Sequence, residues 1–79
     1  MAMIHMTPGK EYSFMYEAED GSTSLRTILF TGLSLRQPGA KEKIPTYSVY
    51  LRGYDVDKKE YRTFNLGRVD KASITYVRG

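Results

Sequence analysis

The 79-residue chain contains no cysteine, so neither a disulfide nor a thiolate metal site can hold its fold together. That absence fits a reducing compartment, and a cytoplasmic location is the expectation. There is one histidine, His5, near the start of the chain. A Ser–His–Asp arrangement would have to recruit it from a terminal segment, where a buried triad does not form. The acids and the histidine nowhere adopt transition-metal spacing. The run "DVDKKE" at residues 55–60 lacks the central glycine and the remaining ligands of a calcium loop. No glycine leads into a Gly-Lys-Ser/Thr ending and a helix, as a phosphate loop requires. The carboxylates of Glu17 and Glu19 share an outer face, with nothing to desolvate them for acid–base work. No apolar run approaches a membrane span, and the opening MAMIHM is too short and uncharged for a signal peptide. The chain is therefore expected to be no enzyme, to use no cofactor and no metal, and to make no membrane contact.

Helical periodicity is also missing almost throughout, and strand-like alternation stands in its place. A chain of this length makes one domain and buries only about 60–65% of the surface it would expose unfolded. Residues 1–9 read as a flexible N-terminal segment and residues 10–79 as the single domain. In "KEYSFMYEAE" the side chains of Tyr12, Phe14, Tyr16 and Ala18 share a face, with Glu11, Ser13, Glu17 and Glu19 opposite. The following Asp20-Gly21-Ser22 suits a hairpin turn, because glycine accepts positive φ and aspartate bonds its own backbone. "SLRTILFTGLSLR" is long for one strand, and Gly32 breaks its alternation, which predicts a bulge or sharp bend. Gly53 and Gly67 read as further bends. Pro38, Gly39 and Pro45 then forbid regular structure, leaving a loop with Lys41 and Lys43.

"TYSVYLRGYD" is the third strand, with Tyr47, Val49 and Leu51 on one face and Ser48, Tyr50, Arg52 and Tyr54 on the other. After the turn "DVDKK", the run "EYRTFNL" puts Phe64 and Leu66 toward the core and Tyr61, Thr63 and Asn65 away from it. "GRVDK" makes a short turn, and "ASITYV" closes the domain with Ile74 as its core anchor. Five short-linked strands, the second strongly bent, make an all-β SH3-like/Sm-like small barrel. An OB-like barrel would want a helix between its third and fourth strands, and no segment is long enough for one.

Two segments carry a family resemblance. The first is Val49-Tyr50-Leu51-Arg52-Gly53-Tyr54-Asp55, and the second is Arg62-Thr63-Phe64-Asn65-Leu66-Gly67-Arg68-Val69. Together they resemble the WYL domain, whose Trp-Tyr-Leu strand is followed by a turn and an Arg-x-Phe-Arg-Leu-Asp-Arg-Ile segment. "FMYEAEDGSTSLRTI" is similar to that family's opening hairpin. The family's tryptophan is replaced by Val49, its middle arginine by Asn65 and its aspartate by Gly67. "FTGLSL" stands where a proline-containing element is usual, and there is no helix-turn-helix, so the likeness is to a stand-alone, divergent WYL domain. The resemblance implies an Sm-like barrel and a regulatory role. It also implies a nucleotide or nucleic-acid ligand held through an aromatic and basic pocket, with Tyr50, Arg62 and Arg68 in the matching positions.

The residues themselves allow the same reading. Tyrosines stack on bases and an arginine between them reaches phosphate, so Tyr50, Arg52 and Tyr54 suit single-stranded nucleic acid or a nucleotide. The alternative is ordinary barrel surface, since tyrosine favours strands and arginine covers outer faces. Arg62 has core-side parity and belongs at a barrel mouth, as an anion site or in an ion pair with Asp55, Asp57 or Asp70. The net charge of +3 conceals an asymmetry: Lys10 alone faces four acids in the first twenty residues, and every other lysine and arginine lies beyond them. That basic part suits an anionic partner or simply a solvated surface. The candidate binding residues are thus Tyr50, Arg52, Tyr54, Arg62 and Arg68. The competing function is a protein-interaction module, self-associating or binding a partner by an edge strand and exposed tyrosines. Such a module suits a phage or mobile-element regulator.

Overall fold

The computed structural model describes residues 5–36 and 48–79. Five strands follow one another: β1 (Glu11–Glu17), β2 (Thr23–Arg36), β3 (Ser48–Asp55), β4 (Glu60–Asn65) and β5 (Val69–Arg78). They form one antiparallel sheet in the order β4-β3-β2-β1-β5. A 3₁₀ turn, Leu66–Arg68, joins β4 to β5, and the described residues contain no α-helix. The fold is therefore all-β, as the alternation predicts. The two edge strands, β4 and β5, are not joined by a ladder among the described residues. The loop around Lys41 and Lys43, together with Tyr47, lies outside the described residues.

Every strand supplies the core. Tyr12 and Phe14 come from β1, Ile28 and Phe30 from β2, Leu51 from β3, Phe64 from β4 and Val69 from β5. Phe14 and Tyr16 both meet the Phe64 ring edge to face, at 5.4 and 5.0 Å between centroids. Burying side chains of this size stabilises a fold by about 1.5–3 kcal/mol each. Ile74 packs against this cluster, but Val69, at the start of β5, is its buried anchor. Of the leading segment, residues 1–4 lie outside the described residues. Met6 packs on the core, the Thr7 N–H donates to the Tyr12 hydroxyl at 2.7 Å and the Gly9 N–H to the Phe30 carbonyl at 2.8 Å.

Strand β2 does two jobs. Thr23–Leu29 pairs with β1, and Ile28–Arg36 pairs with β3. Between Phe30 and Gly32 the register slips by one residue, leaving Thr31 as the extra residue of a bulge. Its hydroxyl donates to the Arg52 carbonyl at 3.0 Å. Gly32 takes φ +153°, a conformation that side-chain-bearing residues rarely adopt. The predicted bulge is there, with Thr31 as its extra residue and Gly32 beside it.

Gly53 pairs with Arg62 in regular register on the β4 side and with Phe30 at the edge of the bulge on the β2 side. A Cβ there would lie 2.7 Å from Ile28 Cδ1 and 2.8 Å from the Leu29 carbonyl oxygen, so the glycine lets β2 and β3 approach closely over the core. Gly67 lies within the 3₁₀ turn.

The β1–β2 turn is held by Asp20. Its Oδ1 accepts from the Ser22 hydroxyl at 2.6 Å and the Ser22 N–H at 2.9 Å. The hydroxyl bond, then the amide bond, stabilise the charged form and lower the Asp20 pKa below the ordinary value.

Two expectations follow. Gly53→Ala should lower stability by about 1–3 kcal/mol, read as a shift in the urea midpoint at unchanged slope. Because the folded-state pKa of Asp20 is depressed, its contribution is present above the unfolded value and lost as pH falls through the folded one. A carboxyl-detected NMR titration should therefore find Asp20 titrating below an aspartate in an unfolded peptide. An unshifted midpoint would count against the turn geometry.

Candidate functional site

The outer face of β3 and β4 is laid out by one turn. Asp55 ends β3, is 1% exposed, and its Oδ1 accepts the N–H groups of Asp57 and Lys58, both at 3.0 Å. Its carbonyl accepts the Lys59 N–H at 2.7 Å, and Lys59 takes φ +58°. The Val56 N–H donates to the Thr27 carbonyl at 3.1 Å, tying the turn to β2. Asp55 consequently pairs with Glu60, Tyr54 with Tyr61, Arg52 with Thr63 and Tyr50 with Asn65. Paired residues share a face, so the outer face carries Tyr50, Arg52, Tyr54, Tyr61, Thr63 and Asn65.

The second oxygen of Asp55 lies 3.7 Å from Arg26 Nη1 and accepts no hydrogen bond among the described residues. Arg26 stands opposite Phe14, on core-side parity. Its guanidinium lies over the Phe64 ring, 5.9 Å from the centroid, and its Nε donates to the Ser24 hydroxyl at 3.1 Å. This pair of a buried carboxylate and a half-buried guanidinium was not legible from the sequence. Arg62 takes another partner: it meets Glu60 at 3.5 Å, not Asp55, Asp57 or Asp70. Two residues apart along one strand face, Glu60 is the nearer acid.

The structure brings four of the five sequence-predicted residues to β3 and β4. Tyr50, Arg52 and Tyr54 share the outer face of β3. Tyr54 meets Tyr61 edge to face at 5.1 Å, and Tyr61 is 77% exposed. Arg52 is exposed and has no ion-pair partner among the described residues. A shallow cleft of about 240 Å³ runs beside it, lined by Thr31, Arg52, Gly53, Tyr61, Arg62 and Thr63. Arg62 reaches this cleft from core-side parity because β4 is an edge strand. Arg68 is elsewhere: it lies in the 3₁₀ turn, donates from Nη1 to the Ala18 carbonyl at 3.0 Å, and lines a separate groove against β1.

Tyr61 is the residue that sequence reasoning left out of the site. Its outward parity was visible. What was missing was the register of the β3–β4 hairpin, which places it directly across from Tyr54. Two aliphatic side chains also occupy the outer face: Leu29, 38% exposed, opposite Tyr54, and Leu25, 63% exposed, opposite Met15.

An arginine with no ion-pair partner among the described residues, the Tyr61 ring and two threonine hydroxyls around a cleft, with Tyr54 behind that ring, can stack on a planar group and hold an anion. Among the described residues no group of three His, Asp or Glu side chains could hold a metal ion, and no helix is long and apolar enough to cross a membrane. Comparison with family models, with curated proteins and with solved structures finds no match.

The turn generates a prediction. Asp55→Ala, which strands Arg26 and unties the turn, should cost about 3–5 kcal/mol. Asp55→Asn, which keeps an oxygen for the two turn N–H groups, should cost less. Denaturant unfolding of both variants, with the Tyr54 and Tyr61 ring shifts followed by NMR, checks this; equal losses would mean the turn bonds matter little.

Proposed function

We propose that this chain is a small, non-enzymatic, WYL-like binding domain of regulatory type, which contacts a nucleotide or single-stranded nucleic acid through the outer face of β3 and β4. The observation that carries the reading is the exposed Arg52, without an ion-pair partner among the described residues, beside the Tyr54–Tyr61 pair. Tyr61 offers an open ring for a base, Tyr54 braces it, and Arg52 reaches a phosphate from between Tyr50 and Tyr54. Arg62 adds a second cation at the cleft once it is released from Glu60. Thr31 and Thr63 supply hydroxyls. Arg68, in its own groove, takes no part in this face.

A second reading rests on Leu25 and Leu29. They extend the aromatic row with exposed apolar surface, which suits a protein partner or a second copy of the chain. Salt separates the two readings, because counterion release makes nucleic-acid binding salt-sensitive, whereas an apolar interface holds.

The test is a ¹⁵N-HSQC titration with short mixed-sequence single-stranded DNA and RNA at low and moderate salt. Shifts should cluster on residues 50–54 and 61–63 and fade as salt rises. Tyr61→Ala should weaken binding by about 1–3 kcal/mol. Arg52→Ala should reduce the salt slope by about 0.7, one phosphate on a single strand. Unchanged affinity in the Arg52→Ala/Tyr61→Ala double variant would remove this face from the reading. A silent spectrum with self-association by light scattering would favour the protein partner.

A further inference from the structure

A groove of about 480 Å³ opens where the β1–β2 hairpin meets the 3₁₀ turn and the start of β5. Its size falls within the range of about 300–1,000 Å³ usual for small-molecule sites. Met15, Tyr16 and Val69 form its apolar wall, and Glu17, Arg68 and Asp70 supply its charge. The β1–β5 register sets these residues side by side, with Tyr16 opposite Val69 and Met15 opposite Asp70. Arg68 is half-buried, and its bond to the Ala18 carbonyl employs one of five donors. The guanidinium is thereby held in place with donors to spare.

A guanidinium and two carboxylates around one groove would ordinarily pair. Here, among the described residues, neither Arg68 nor Glu17 nor Asp70 has an ion-pair partner. Arg68 is turned to a backbone carbonyl, and Asp70 Oδ1 accepts the Ala72 N–H at 3.1 Å. A simple anion meets repulsion from Glu17 and Asp70, and a simple cation meets it from Arg68. A molecule carrying both charges on one apolar body satisfies all three.

We propose that this groove binds a small zwitterion of the α-amino-acid class. Its carboxylate lies on Arg68, its ammonium faces Glu17 and Asp70, and its apolar side chain rests on Met15. The site is independent of the β3–β4 face and would stand if that reading fell.

The test titrates the full chain with three probes by ¹⁵N-HSQC at matched millimolar concentrations. They are L-phenylalanine, N-acetyl-L-phenylalanine, which lacks the ammonium, and L-phenylalaninamide, which lacks the carboxylate. L-phenylalanine should shift the amides of Thr23, Gly67, Arg68 and Val69. Each derivative should bind about tenfold more weakly, the loss of one charged contact. Arg68→Gln should abolish the shifts. Because that variant also loses the Ala18 bond, Glu17→Gln serves as the second: its side chain is exposed and makes no hydrogen bond among the described residues. E17Q should bind L-phenylalanine more weakly and, by removing a repulsion, bind N-acetyl-L-phenylalanine more tightly. No shifts with L-phenylalanine, equal affinities for the three probes, or unchanged L-phenylalanine affinity in E17Q would each overturn the proposal.

Discussion

One buried carboxylate organises much of this domain. Asp55 ends β3, caps the turn that follows and meets Arg26 of β2. An unpaired charge in that position would be costly. Arg26 in turn lies on Phe64 of β4, so three neighbouring strands converge on a single ionic contact over the core. In a chain of this size, without disulfides, a polar contact that admits one register carries information that interchangeable apolar side chains do not. A slip of one residue between β2 and β3 would take Asp55 away from Arg26, and one between β3 and β4 would change the turn it caps.

That constraint sets what solvent sees. With Asp55 opposite Glu60, the tyrosines at 54 and 61 must face each other, and Arg52 stands on the same face with no ion-pair partner among the described residues. The opposite end of the sheet follows different rules. There the 3₁₀ turn lets β5 start beside Tyr16, and Arg68 is drawn to the hairpin carbonyl of Ala18. Two basic positions six residues apart, 62 and 68, are thus parted by a short turn and an edge strand. They serve surfaces of opposite character, one open and aromatic, the other a groove of mixed charge.

Much of this was legible in the residue order. Alternation at Tyr12/Phe14 and Val49/Leu51 marks strands because only a period of two buries one face. The break at Gly32 marks the bend because its backbone takes a conformation that disfavours side chains. The outward set on β3 follows from the same parity. Arg26 was not legible: a charged residue on core-side parity has no local sign of whether it pairs or points out. Tyr61 was legible in direction but not in neighbour, since the pairing depends on how many residues the Asp55 cap folds into the turn. The position of Arg68 depends on where β5 begins, and Val69, not a residue of the more regular "ASITYV" run, turned out to be its buried start. At Gly53 the close approach of β2 was not legible, because a glycine needed for close approach looks, in sequence, like one needed for a bend.

The bulge at Thr31 has a further consequence for how this chain can vary. It reverses the inside–outside sense of β2 midway, so Ile28 and Phe30 before it and Leu33 and Leu35 after it lie on one side despite opposite parity. The two halves of the strand are separate reading frames joined by one uncounted residue. Were the bulge flattened, with Thr31 paired to Arg52, the frames would merge and Leu33 would come to stand opposite Tyr50, turning a polar and aromatic surface greasy without changing any residue on it. A chain lacking residue 31 would instead pair Gly32 with Arg52 in regular alternation and keep both halves facing as they do. Setting one residue aside, whatever its identity, therefore decides which face the end of β2 presents.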